Sequence, residues 1–395
     1  MVKRRGGFIG HAPLQAPDSP TGVSVSGGVD GVCSVSFTAP SDVGDDPITG
    51  YLAVSGTGFG ATSGSSPISV SGLAAGTATT FNVFAINDYG HSSPAVTGSI
   101  TPSASRAVFS GGADASSTTS NVMQYIAPAT TGNATDFGDM GRAMNSSSSF
   151  ASSTRGCITT GYDGGHTDTL EYITIASTGN STNFGTHYTH YAGAGLSSNT
   201  RGVIGGGRTN STVRLNTMEF YTIASTGNST DFGDLTVDRR LLGACASTTR
   251  GVFMGGIQSG TNETIDFITI SSTGDASDFG DISTEGQEFG SCSNSTRGLR
   301  MGGSFSGGTG DLIEFITIAS TGDTTDFGDL TAARHNTAAA ANSTRGICSG
   351  GINGSTRSNV LDFVTISSTG DASDFGDLLS VSDLQSGLCN AHGGI

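Results

Sequence analysis

The residues of this chain whose types and spacing could do chemistry fall into three groups. The first is a set of carboxylates at i, i+3 and i+6, clearest in GDASDFGD (Asp371, Asp374 and Asp377). Calcium asks for about six to eight oxygens and could use such a set. Another copy of the same segment carries Asn180, Asn183 and Thr186 instead, which suits a turn bonding its own backbone. Turn structure is therefore the expected role, and no metal is expected. The second group is histidine. His187 and His190 lie three apart, but no convincing third ligand accompanies them, so they are expected to be solvent-exposed loop residues, like His166 and His335. The third is the glycine pairs, such as Gly206–Gly207. A phosphate cradle would need a following helix or a GK[ST] motif, and neither is present, so close strand packing is expected. No nucleophile, base and orienting group can be assembled from spacing. The chain is not expected to be an enzyme or to hold a cofactor.

The elements that would carry these residues are written six times. Each copy opens with an arginine and a glycine-rich phrase (RAVFSGG, RGCITTG, RGVIGGG, RGVFMGG, RGLRMGG, RGICSGG). An apolar–acidic–aromatic strand follows, as in LEYITI or IDFITI, and then a turn and short strand such as STGDASDFGDL. The opening residues Arg106, Arg155, Arg201, Arg250, Arg297 and Arg345 are 49, 46, 49, 47 and 48 apart. A period of about 40–50 residues with four strands per unit marks propeller blades rather than helical solenoids.

The pattern resembles kelch repeats, with Phe137, Phe184, Phe232, Phe279, Phe327 and Phe375 where that family usually carries tryptophan. The resemblance implies four strands per blade: an inner strand, a glycine-pair strand, an aromatic strand and an outer strand. The first copy begins at the glycine-pair strand and lacks an inner one. The tail SVSDLQSGLCNAHGGI stands where an inner strand would, so it is expected to close the ring beside Arg106–Gly112.

Spacing separates two faces. The interval from Gln124, Glu171, Glu219, Asp266, Glu314 or Asp362 to the Asp or Asn before Phe-Gly is 12 in every copy. The interval from the opening arginine to the same position runs 18, 16, 18, 16, 17, 17. Length variation therefore sits in the loop between the glycine-pair and aromatic strands. That loop shares a face with the outer-to-inner connections, while the fixed turns lie on the other. Loops on a rigid scaffold are where binding concentrates. The ligand-binding candidates are Tyr162, His166, Arg208, Arg214 and Arg357 from the first loop class. The second supplies His187, Tyr188, His190, Tyr191, Arg239, Arg240, Arg334 and His335. Aromatic area and guanidinium forks suit polar or glycan contact. On the fixed face the opening arginines are expected to pair with the acidic turns.

Residues 13–102 alternate in short strands (VSVSG, CSVSFTAP, GYLAVSG, PISVSGL, TFNVFAIN). The order of Pro17, Pro20, Phe37, Gly50–Tyr51, Leu73 to Thr77 and Asn87 to Gly90 resembles a fibronectin type III module. Phe37 replaces its tryptophan and Thr79 stands at its corner tyrosine. The expected fold is thus all-β. A fibronectin type III-like sandwich (13–102) is followed by a six-bladed kelch-like β-propeller (103–395) closed by the C-terminal strand.

The charge of −16, with Lys3 the only lysine, opposes nucleic-acid partners and anionic membranes. No apolar run reaches the ~20 residues needed to insert in a bilayer. The six cysteines lack CxxC spacing and are expected to be reduced and core-filling, with Cys245 and Cys292 at equivalent inner-strand sites. In the arm 1–12, Lys3, Arg4, Arg5, Phe8 and Ile9 are candidate anchor residues. The phrases built on TIASTG and STRG, with the opening RRGGFIG, are similar to structural proteins of tailed phages infecting marine bacteria, cyanophages among them. That resemblance implies a virion protein assembled in the host cytoplasm, of surface-appendage or fibre type, contributing to host attachment. Its partners would be other virion proteins and a host-surface glycan or protein, with a homo-oligomer left open. A purely structural capsid or tail decoration is the alternative, and a glycan-active enzyme a more distant one.

Overall fold

The computed structural model describes residues 14–159, 161–165, 168–188, 190–209, 213–260, 262–306 and 308–395. The anchor candidates Lys3, Arg4, Arg5, Phe8 and Ile9 lie outside the described residues, as does His166. Among the described residues there is no helix; short strands form small antiparallel sheets. The chain divides into two compact units, Met1–Ala104 and Ser105–Ile395.

In the first unit Thr21–Val29, Val32–Thr38 and Ile68–Val70 form one sheet. Gly60–Ser63, Gly50–Ser55, Phe81–Asn87, Gly90–His91 and Ala95–Val96 form another. Period-two alternation sends Cys33, Val35 and Phe37 from one sheet and Tyr51, Ala53, Phe81, Val83 and Ala85 from the other into one core. The rings of Phe37 and Tyr51 meet at 4.6 Å. Thr79 is buried, and its hydroxyl donates to the Thr80 carbonyl at 3.3 Å.

Among the described residues the second unit holds six sheets of four or five strands and a two-stranded ribbon, Ile352–Asn353 with Thr356–Arg357. The second runs Ser149–Ala151, Arg155–Thr159, Thr169–Thr174, Thr182–Thr186 from inner to outer strand. The third runs Ala194–Ser197, Arg201–Gly205, Thr217–Thr222, Thr230–Asp234, and the fourth Gly243–Ala246, Arg250–Met254, Thr264–Thr269, Ser277–Asp281. The fifth contains Gly290–Ser293, Arg297–Phe305, Gly308–Thr317 and Thr325–Asp329, with Gly286–Gln287 extending its inner edge. The sixth runs Ala338–Ala341, Arg345–Ser349, Val360–Thr365, Ser373–Asp377. In the first sheet Ala107–Ser110, Ser120–Ile126 and Thr135–Met144 are joined by Ser386–Cys389 from the far end of the chain, pairing Ser386 with Ser110 and Cys389 with Ala107. The inner strands contact one another in sequence from 149–151 through 338–341 to 386–389 and back to 149–151, a closed circuit.

Sequence explains why each sheet has this shape. The aromatic and outer strands of every sheet share one β-bulge, opposite the apolar–acidic step. The bulge turns the outer-strand phenylalanine inward. Phe137, Phe184, Phe232, Phe279, Phe327 and Phe375 are all buried. Each meets the aromatic of its neighbouring strand edge-on, at 5.9 to 6.1 Å. Such pairs are worth about 0.5–1.5 kcal/mol beyond the area they bury. The glycine after the bulge is required at Gly233, where φ is 139° and a Cβ would lie 2.4 Å from the Gly274 carbonyl oxygen.

On the fixed-turn face one joint is repeated around the whole circuit. The turn glycine of each sheet donates its N–H to the outer-strand phenylalanine carbonyl of the sheet before, from Gly179 to Phe137 at 2.7 Å round to Gly132 to Phe375 at 2.8 Å. The next residue accepts an N–H from the same outer strand through its side-chain oxygen. Asn180, Asn228, Asp275, Asp323, Asp371 and Asn133 do this at 3.0 to 3.2 Å. Only an acceptor oxygen is used, which accounts for the free exchange of Asn and Asp.

The expected ring of Arg–Asp pairs on this face is corrected. Each opening arginine instead lies over the aromatic of its own sheet, 4.4 to 4.7 Å from the centroid. Its Nη1 donates to a carbonyl of the following sheet at 2.8 to 3.2 Å, from Arg106 to Ile175 round to Arg345 to Pro128. A guanidinium offers a flat face to a ring and an edge to an oxygen, and the turn carboxylates offer it neither geometry nor burial. All six cysteines are free and buried.

Candidate functional site

The opposite face gathers the variable loops, and each junction between sheets there is built around a buried polar residue of the aromatic strand. Gln124, Glu171, Glu219, Asp266, Glu314 and Asp362 are all buried. Each is met by a group from its own sheet or from a neighbouring connection. Gln124 accepts the Leu379 N–H at 2.7 Å, and Glu171 accepts the Gly141 N–H and the Ser181 hydroxyl. Asp266 holds Arg239 at 2.6 Å, Asp362 holds Arg334 at 2.5 Å, and Glu314 holds Arg300 at 2.8 Å. The Arg300 guanidinium lies between the rings of Phe289 and Phe305.

Arg239 and Arg334 are therefore corrected as surface binding candidates. They are 0% and 1% exposed and spend their donors inside the protein, Arg239 also on the carbonyls of Phe253, Gly255 and Thr264. A buried carboxylate draws the nearest cation in from the loop, because an unpaired buried charge costs several kcal/mol, of order 3–5.

The expectation of solvent-exposed His187 and His190 is likewise corrected. They are 4% and 6% exposed, and the third side chain that the sequence did not point to is Glu219. The two Nδ1 atoms lie 4.0 and 3.9 Å from Glu219 Oε1. Both also sit on the Tyr188 carbonyl, at 2.6 and 2.5 Å, while the Tyr188 N–H donates to Glu219 Oε2 at 2.8 Å. Burial pushes both imidazoles down to about 4, and burial also raises the Glu219 carboxyl.

What remains outside is a strip of tyrosines and arginines across the second to fourth sheets. Tyr188 is 61% and Tyr162 39% exposed. Tyr162 pairs its backbone with Asn145 and sets its ring 5.4 Å from that of half-buried Tyr191. Tyr191 pairs its backbone with Arg208, whose guanidinium covers the Tyr191 ring at 4.6 Å. Arg208 also pairs its backbone with Arg214, which reaches Asp238 at 3.4 Å. Burial, Arg208 and Arg214 hold the Arg240 guanidinium below its ordinary range, so these three cations feel one another. No protein-family model and no curated protein matches this chain.

Two other candidates stand apart from the strip. His335 accepts or donates a hydrogen bond with Thr309 at 3.0 Å on the far side of the ring, and Arg357 is taken by Asp383 at 2.6 Å. Between the two sides lies a cavity of about 130 Å³ at the mouth of the inner-strand circuit. Its rim carries Ser146, Ala192, Leu241, Glu288, Asn336 and Leu384, all left-handed with φ between 55° and 62°. Backbone bonds link them around the rim, such as Leu241 N–H to Ala192 at 2.7 Å and Ser146 N–H to Leu384 at 3.0 Å. Six non-glycine residues in that region are strained, and the linked carbonyls hold them there. At the other end the tail closes the circuit: His392 Nε2 lies 3.1 Å from the Ser197 hydroxyl, and the Gly393 N–H donates to Ser293 at 2.9 Å.

Proposed function

We propose that this chain is a virion structural protein of a tailed phage, a surface appendage of fibre type that contributes to host attachment. In this reading a fibronectin type III-like module precedes a six-bladed kelch-like β-propeller. The repeat phrases support the virion assignment. The observation that carries attachment is the strip of Tyr162, Tyr188, Tyr191, Arg208 and Arg240, which presents aromatic and cationic groups on a protein of net charge −16. Aromatic rings and arginines are enriched where binding energy concentrates, and rings hold their shape at small entropic cost. A rigid ring of sheets beneath the strip keeps them preorganised. The partner expected on this face is a host-surface glycan or protein, and other virion proteins are the partners elsewhere.

Particles carrying Tyr188→Ala, Tyr191→Ala, Arg208→Ala and Arg240→Ala together test this reading. The variant is expected to be incorporated normally and to adsorb to host cells at least about tenfold more weakly, the loss of roughly 1.4 kcal/mol or more. Equal adsorption, with incorporation confirmed, would remove the strip as the attachment site and favour a passive decoration of capsid or tail.

A further inference from the structure

The third sheet joins the second by a junction unlike those formed by its neighbours. Two residues before the left-handed rim residue stand His190, Arg239 and Arg334, ahead of Ala192, Leu241 and Asn336 respectively. Arg239 and Arg334 deliver a guanidinium to a buried acid of the next sheet. His190 delivers an imidazole to Glu219, and His187 supplies a second. No guanidinium reaches this buried carboxyl group, whereas Asp266, Glu314 and Asp362 each hold one. Glu219 Oε1 is fully buried and meets no donor in good hydrogen-bond geometry, with the Tyr221 hydroxyl lying beside the carboxylate. A buried acceptor left unpaired is costly, and its position here faces two nitrogen ligands.

We propose that His187, His190 and Glu219 bind a divalent transition-metal ion of the zinc type, which takes the place of the missing guanidinium. The three ligand atoms all lie within 4.8 Å of one another. Zinc bonds of about 2.0–2.2 Å in tetrahedral geometry put ligand atoms about 3.3–3.6 Å apart, so closure by at most about 1.5 Å completes the site. The Tyr188 carbonyl, in contact with both rings, is the fourth ligand at hand. Two imidazoles and one carboxylate favour zinc over calcium or magnesium, which prefer oxygen alone. On binding, each ring carries its single proton on Nε2 and turns the Nδ1 lone pair to the metal. Any proton on Glu219 is released to solvent. The ion ties the connection after the second sheet to the aromatic strand of the third. Burial of all three ligands makes it a structural site, joined to the attachment strip only through the Tyr188 backbone.

The full chain, stripped with a chelator and then titrated with Zn²⁺, tests this by elemental analysis and thermal melting. One zinc per chain is expected, with Tm raised by at least about 3 °C at a hundredfold excess over Kd and no shift with Mg²⁺ or Ca²⁺. His190→Arg places at this junction the group used at two others. It is expected to fold, to need no metal, and to lose the zinc response. Glu219→Gln, which keeps the side-chain shape, is expected to weaken zinc at least about tenfold and gives the same reading if the arginine variant does not fold. Absence of stoichiometric zinc and of a Tm shift in the wild-type chain would overturn the proposal. So would an equal zinc response in whichever variant folds.

Discussion

The two faces of the sheet circuit solve the same problem in opposite ways. On the fixed-turn face every junction uses one device: a glycine N–H to a phenylalanine carbonyl, an Asn or Asp oxygen beside it, and an arginine between ring and carbonyl. On the loop face every junction has a buried polar group, yet no one partner type serves all six. The partners include a backbone N–H, a hydroxyl, three arginines and a pair of histidines. Joints at an exposed turn tolerate exchange of Asn and Asp, because only an acceptor oxygen is used and solvent screens the added charge. A buried charge tolerates no vacancy, so each change there has needed its own compensation. The face that can vary is thus the one where chemistry accumulates.

Removing residues 384–395 should have the largest effect. It strips Ser386–Cys389 from Ala107–Ser110 and leaves an exposed edge next to a hydrophobic core. Aggregation or a Tm drop of roughly 10 °C is expected in a melting scan, and unchanged melting would break the closed-circuit description. Next comes Arg239→Met, which leaves Asp266 buried without its cation; denaturant unfolding should show a loss of about 3–5 kcal/mol. Arg250→Ala, on the fixed-turn face, removes the contact with Phe267 and the bond to Ile318 and should cost about 1–2 kcal/mol. Asp275→Asn on that face should change stability by less than about 0.5 kcal/mol, since its oxygen only accepts the Asp234 N–H. If Arg250→Ala proved as costly as Arg239→Met, the contrast between the faces would collapse.

The sixfold repeat was legible because its signals are local. The phenylalanine that fills each sheet and the acid beside its bulge recur at a fixed spacing, and the tail had an empty inner-strand position to fill. The loop face was legible only in part. Tyr162, Tyr188 and Arg240 read as accessible loop residues and are exposed or half-buried. Arg239 and Arg334 read the same way, but each is drawn in by an acid 27 or 28 residues later, on the next sheet. Burial of a loop side chain is decided by what faces it, and single-repeat spacing does not carry that. Glu219 was visible as one of six equivalent positions, five of them acids. Aligning His190 with Arg239 and Arg334 is the signal that would have joined it to the histidines.

The pairing of Ser386 with Ser110 joins residues 276 apart. Five sheets can form from neighbouring segments, each with short loops to close. The first sheet must wait, its inner edge open, until the most distant segment of the unit arrives. Loop-closure entropy grows only slowly with length, so this wait has little effect on final stability. It does govern the order of events. Non-local strand pairing is slow, and an unpaired edge invites association with another chain. At high local concentration, a strand 386–389 from one copy could fill the open edge of another before its own chain did, giving an exchanged dimer with every native contact intact.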